Sequence, residues 1–244
     1  MADILCLGEP LVEFNHIGGT EWRQGFGGDV SNVAVAAARQ GARAGIVTRL
    51  GADGFAAMLR GMWAADGVDA TLVTEDADAP TGLYFITHGP DGHAFEYRRA
   101  GSAAARMTPH ALPDAVARAA ILHVSGITQA ISDTAEATAD AAMARVRGAG
   151  GRVSYDPNLR LKLWPLDRAR PAILRALAAC DIALPGLDDA RLFLGLDDAE
   201  AIVRAILSMG PGIVALTMGR DGVLLGTDTG IAHVTAPVVA AVDA

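Results

Sequence analysis

Two tyrosines and an arginine in one short stretch, Tyr84, Tyr97 and Arg99, are the residues of this sequence best suited to grip a small ligand. They lie in TGLYFITH and HAFEYRR, residues 81–88 and 93–99, which alternate apolar and polar around GPDG. Such alternation predicts a hairpin with no helix between its strands. Tyr97 and Arg99 are two apart and share a face, and Tyr84 falls on the partner strand within cross-strand reach. An arginine fork matches a carboxylate, and a tyrosine offers an apolar ring with a hydroxyl tip. This face therefore suits a ligand carrying hydroxyls and a carboxylate. A solvated lid surface or a subunit contact has the same pattern.

A second stretch, GFGGDVSNVAVAAARQG at 25–41, sets three glycines just ahead of a run with helical character. Free N–H groups and a helix dipole at such a turn favour an anion, which is the usual reason to read it as a phosphate cradle. Polar or backbone-exposing turns also follow several strand-like runs. GRVSYD leads into PNLR, giving Asp156, Pro157, Asn158 and Arg160; AAILHVSG leads into IT; GIVALT leads into MGRDG. Pro157 disfavours the helical region at Asp156 and fixes the exit of the chain. For Asp156 alone, a cap or turn former explains the residue as well as a function does.

These residues need a scaffold, and the chain supplies one. DILCLG, RAGIVTRLG, AAILHVSG, GRVSYD, CDIALP and GIVALT read as strands, and 29–41, 53–66, 133–148, 167–178 and 198–208 read as helices. A βαβ series of this kind predicts an α/β fold with a mostly parallel sheet, helices on both faces, and ligands beyond the carboxyl ends of the strands. The hairpin breaks that rhythm. With a second pair of strands around Gly18-Gly19 it forms a small antiparallel sheet, a discontinuous lid from about 9–26 and 80–100. The whole of 1–244 is expected to be one α/β domain carrying this lid.

Composition excludes other classes. With 244 residues, 51% hydrophobic, the chain can bury a sizeable core. A net charge of -8, with no Lys/Arg cluster against it, removes the positive footprint that a nucleic-acid partner requires. Cys6 and Cys180 sit in apolar runs and read as packing thiols, which fits a reducing compartment. The N-terminus has no signal-peptide pattern and no apolar run reaches membrane-crossing length, so a cytoplasmic location and no membrane partner are expected.

The segments GFGGDVSNVAVAAARQG, RLGADGFA, TGLYF, YRRAGSAA, LHVSGIT, SYDPNLRLKLW and LTMGRDG occur in the order found in the ribokinase-like (PfkB) carbohydrate kinases. Within that family the chain most resembles the 2-keto-3-deoxygluconate kinases. The resemblance spans essentially the whole sequence. It implies a ribokinase-like three-layer sandwich and transfer of a phosphoryl group from ATP, with Mg2+, to the terminal hydroxyl of a sugar acid. It also implies that Gly27, Gly28, Asn32, Tyr84, Tyr97, Arg99, Ile127 and Arg160 contact the substrate, Arg160 also serving the transferring phosphoryl group. Thr217, Gly219, Gly222 and Asp189 would border the nucleotide. In this light the glycine turn serves a sugar and not a phosphate, because bare backbone lets a polyhydroxyl ligand approach. The turn also departs from G-x-G-x-x-G, and no ribose-binding acid follows about twenty residues on.

Two departures from the family pattern stand out. Gly186-Leu187-Asp188-Asp189 occupies the place of N-x-x-E, keeping the acid at Asp189 and losing the amide. No protein-only metal cage is expected, so magnesium would be held mainly through phosphate oxygens and water. The sequence also reaches Asp243-Ala244 where the resemblance places the start of G-A-G-D, the anion hole and general base. The base is thus expected beyond Ala244, the C-terminal part of the fold missing, and residues 1–244 alone inactive. A kinase for a neutral sugar such as fructose or ribose, or for a nucleoside, shares most of these motifs, with the arginine pair Arg99 and Arg160 as the discriminator. A non-catalytic sugar-binding module is the reading if the chain truly ends at 244. A homodimer through paired lids is expected from the apolar residues Leu83, Phe85 and Phe95.

Overall fold

The computed structural model describes residues 2–89 and 92–239. The chain divides into two compact units, Met1–Arg152 and Val153–Ala244.

In the first unit, strands β1 (Ile4–Leu7), β4 (Ala44–Gly51), β5 (Asp69–Asp76) and β8 (Ile121–Ser125) form a parallel sheet in the order β8-β1-β4-β5. Register is continuous from Ile4↔Ala44 to Leu7↔Val47 on one side and from Ile4↔Ile121 to Leu7↔Val124 on the other. The helices α1 (Asp29–Arg39) and α2 (Gly54–Ala65) pack on one face. Their apolar stripes place Val30, Ala34, Leu59 and Trp63 against Cys6, Ile46 and Leu50 of the sheet, all of them buried. Each large side chain buried there contributes roughly 1.5–3 kcal/mol. The buried Trp63 N–H donates to Ser31 Oγ at 2.9 Å, so the two helices are also joined by a satisfied polar contact. Asp53 caps α2, accepting from Ala56 N–H at 2.9 Å. After β8 come a short α3 (Gly126–Ala130) and α4 (Asp133–Gly148), the latter capped by Ser132.

The second sheet of this unit combines β2 (Leu11–Gly18), β3 (Glu21–Gly27), β6 (Leu83–Gly89) and β7 (Gly92–Arg98) in the order β3-β2-β6-β7. Each hairpin is antiparallel, and the two hairpins meet through a parallel pair, β2 with β6. Gly18 and Gly19 make the first turn at φ 125° and 56°, values that favour glycine. Pairing also separates the residues expected to share an apolar face. Leu83 stands opposite Arg98 and Phe85 opposite Glu96, whereas Phe95 stands opposite Ile86. By strand alternation Phe95 is on the other side of the sheet from Leu83 and Phe85. Leu83 packs against the core, Phe85 stacks on Phe14 at 5.5 Å, and Phe95 is exposed.

The second unit opens within β9 (Arg152–Asp156) and continues through α5 (Leu166–Ala178), the two-residue β10 (Ile182–Ala183), α6 (Leu187–Leu194) and α7 (Ala199–Leu207) to β11 (Ile213–Thr217). β9, β10 and β11 are parallel. β12 (Val223–Thr227) and β13 (Gly230–Val234) then add an antiparallel hairpin. No described helix is long and apolar enough to cross a membrane.

Candidate active site

β1 leaves the core through Gly8-Glu9-Pro10 and enters the small sheet at β2. Glu9 is therefore fixed at the carboxyl end of a core strand, and its side chain is fully buried. Arg99, the first residue after β7, reaches the same point. Its Nε donates to Glu9 Oε2 at 2.6 Å and its Nη2 lies 2.5 Å from the same oxygen. Ser102 Oγ donates to the other carboxylate oxygen at 2.5 Å. Burial pushes the Glu9 carboxyl above its ordinary pKa, and the Arg99 charge with the Ser102 and Arg99 hydrogen bonds opposes that rise. Arg99 is only 11% exposed, so the arginine expected to reach for a ligand is first of all half of a buried ion pair.

Tyr84 and Tyr97 stand directly opposite each other, with ring centroids 5.7 Å apart and 24° between planes. The Arg99 guanidinium carbon lies 5.6 Å from the Tyr97 ring centroid, joining the three expected residues in one continuous surface. The Tyr84 hydroxyl donates to Glu13, on the neighbouring strand and in register with Tyr84. Burial and this carboxylate hold the phenol well above its ordinary pKa. Neither Glu9 nor Glu13 was anticipated from the sequence. The period of β2 marks Glu13 as sharing a sheet face with its cross-strand neighbours, but only the β2–β6 pairing brings it to Tyr84.

The glycine turn is packed against these groups. A Cβ on Gly27 would stand 2.5 Å from the Tyr84 hydroxyl oxygen, and one on Gly28 would stand 2.5 Å from the Glu9 carbonyl oxygen and 2.7 Å from Pro10 Cα. Gly28 also has φ 93°. The chain's own packing thus requires glycine at 28 and leaves no room for a side chain at 27 while Tyr84 keeps its place, a sufficient reason beside the approach of a ligand. Asn32, in the first turn of α1, is exposed, and Ile127 in α3 is half-buried. Beneath the turn, His123 of β8 faces Cys6 of β1 in register. Burial lowers the imidazole to about 4, against the pull of Asp29, and raises the Cys6 thiol to about 12. Cys6 and Cys180 are both buried free thiols.

In the second unit, Asn158 has φ 35° and its N–H donates to Asp156 Oδ1 at 3.0 Å, so Asp156 does act as a turn former. Arg160 is exposed and donates to the Leu159 carbonyl at 3.0 Å. Asp189, in the first turn of α6, accepts from Leu159 N–H at 2.9 Å. Its carboxyl is pushed up by burial, and the Leu159 hydrogen bond and the Arg160 charge pull it down. A depression of about 530 Å³ is lined by Gly186, Asp188, Asp189, Thr217, Gly219 and Asp221, among others. A Cβ on Gly219 would meet nothing within 4 Å, so backbone is bare there. α6 begins at Gly186 with no side-chain cap, leaving its first N–H groups available to an anion. Gly222 differs. A Cβ on it would stand 2.1 Å from the Val234 carbonyl, so the β12–β13 hairpin alone demands glycine.

The pattern of the pfkB family carbohydrate kinases matches residues 1–244. The chain belongs to that family. A 2-dehydro-3-deoxygluconokinase of Thermoproteus tenax is 32% identical over 234 residues, 91% of this chain and 71% of that protein. A fructokinase of Klebsiella pneumoniae is 32% identical over 246 residues, 98% of this chain and 78% of that protein. The fold matches a putative ribokinase II of E. coli, solved with ATP and Mg2+, at a TM-score of 0.90 and 23% identity, over 100% of this chain and 81% of that one. A pfkB carbohydrate kinase is a sugar phosphotransferase, and its fold is ribokinase-like. MgATP fits the second-unit depression, which joins bare backbone and an uncapped helix start, suited to phosphates, with carboxylate oxygens suited to a hard cation. Among the described residues no group of three or more metal-ligating side chains occurs. Tyr84, Tyr97, Arg99, Gly27 and Gly28 come together in the first unit, and Thr217, Gly219 and Asp189 in the second; Arg160 belongs to the second unit. Asp243 lies outside the described residues.

Proposed function

We propose that this pfkB kinase phosphorylates the terminal hydroxyl of 2-keto-3-deoxygluconate, with MgATP as donor. The observation that carries the reading is the Tyr84–Tyr97–Arg99 surface, which pairs two phenol rings with a guanidinium at the root of the small sheet. In this reading Arg99 receives the carboxylate, Tyr84 and Tyr97 cover the sugar, Gly27, Gly28, Asn32 and Ile127 border it, and Arg160 serves the transferring phosphoryl group. Asp189, Thr217 and Gly219 line the nucleotide, and Gly222 shapes the turn beside them. Magnesium neutralises charge on the phosphates when bound. The small sheet closes over the sugar and excludes water that would otherwise accept the phosphoryl group.

A neutral sugar is the second reading, and a specific observation favours it. Glu9 already neutralises Arg99, and Glu13 puts a second carboxylate beside Tyr84, a better partner for a hydroxyl than for an anion. The fructokinase relative points the same way. Comparing binding of 2-keto-3-deoxygluconate and fructose decides between them, with preference for the acid supporting the first reading and preference for fructose the second. Phosphoryl transfer from MgATP to each sugar is assayed alongside. We further propose a cytoplasmic homodimer through the small sheet, since its edge strand β7 is exposed along its whole length. A monomeric mass at high concentration contradicts that assembly.

A further inference from the structure

Glu9 does more at the root of the small sheet than offset a charge. It is held from three sides. Ser102 donates to Oε1, Arg99 donates to Oε2 through Nε with Nη2 beside it, and the Glu9 carbonyl packs into the space a Gly28 side chain would fill. A Cβ on Gly82 would stand 2.8 Å from Glu9 Oε1, so the first residues leading into β6 also close on this carboxylate. The carboxylate has no freedom to follow a moving arginine; the arginine must conform to it. Both guanidinium contacts with Glu9 use the Nε and Nη2 side, and Nη1 stands outside the pair. The guanidinium carbon lies over the Tyr97 ring, 5.6 Å from its centroid. An arginine is planar with donors in a fixed fork, so holding the Nε/Nη2 edge on Glu9, with the Tyr97 ring alongside, fixes the direction of the remaining edge.

We propose that Glu9 is a positioning residue for substrate selection: by clamping one edge of Arg99 between the core strand and Tyr97, it aims the remaining edge at the carboxylate of a sugar acid. This rests on the reading that Arg99 receives that carboxylate. Its consequence is unusual in sign. An acidic residue next to an anion site should weaken anion binding by repulsion; a clamp should strengthen it, because less rotamer freedom is lost when the acid binds.

The test uses binding, measured by calorimetry on this chain with 2-keto-3-deoxygluconate and with fructose. Glu9→Asp keeps the charge and withdraws it by one methylene. The clamp predicts that it weakens binding of the acid about tenfold while fructose changes by less than about twofold, an energy of the size expected for a misplaced charged hydrogen bond. Ser102→Ala removes one of the donors fixing the carboxylate and should shift the acid in the same direction by about threefold, and it carries the test if Glu9→Asp does not fold. Equal losses for both sugars, or no loss for either, overturn the proposal, the first because Glu9 then only supports the fold. Arg99→Lys separates the two layers. If it abolishes preference for the acid while Glu9→Asp does not, the reading of Arg99 stands and the clamp falls. If the unaltered protein shows no preference for the acid, both fall.

Discussion

Two glycine-containing turns in this chain, one in each unit, differ in what surrounds them. At Gly27-Gly28, in the first unit, the positions a Cβ would take are already filled by the Tyr84 hydroxyl and the Glu9–Pro10 backbone. At Gly219, in the second unit, the corresponding space is empty to 4 Å. At the first turn the chain itself occupies the side-chain position, and at the second that position is open. A glycine-rich turn at a helix start is therefore not in itself a phosphate cradle; what occupies the missing side chain's place decides its use.

The largest effect that can break this contrast is at the closed root. Arg99→Ala strands the buried Glu9 carboxylate and should cost about 3–5 kcal/mol in urea unfolding, whereas removing the exposed Arg160 of the second unit should cost under about 0.5 kcal/mol. Gly28→Ala forces a side chain onto backbone at φ 93° and should cost about 3 kcal/mol, measured by the same method. The closed interior of the first unit also sets a pH response. Folding holds His123 at about 4 against 6.5 in the unfolded chain, so between those values the unfolded state binds the extra proton. Stability from this group is complete above pH 6.5 and is lost as pH falls toward 4, and His123→Asn should flatten a melting-temperature profile across that window. Smallest is Gly219→Ala, about 1 kcal/mol for the φ of 57° alone, since nothing is struck. A loss there as large as at Gly28 would erase the distinction between the two turns.

Much of the framework was readable because local rules and burial agree. The six strand runs and five helices expected from periodicity are present, and Asp53, Ser132 and Asp198 cap their helices. β5 was missed because DATLVTED is an edge strand whose residues are mostly exposed or half-buried, so it carries little apolar signal. The β12–β13 hairpin was missed because GIVALT-MGRDG reads as the end of a parallel strand, while the following chain folds straight back. The tyrosine–arginine face was legible from a period of two. Its carboxylate partners were not, since Glu9 reaches Arg99 across 90 residues of sequence and Glu13 reaches Tyr84 across 71. Such pairings depend on which hairpin lies beside which, and no local pattern records that.

The central claim, that Arg99 selects a sugar acid, is tested most directly by comparing calorimetric binding of 2-keto-3-deoxygluconate and fructose to the unaltered protein and to Arg99→Lys, which keeps the charge and loses the fork. The account predicts that the unaltered protein binds the acid at least about tenfold more tightly than fructose and that Arg99→Lys removes this preference while leaving fructose binding unchanged. Equal or tighter binding of fructose by the unaltered protein, with no change in Arg99→Lys, contradicts it.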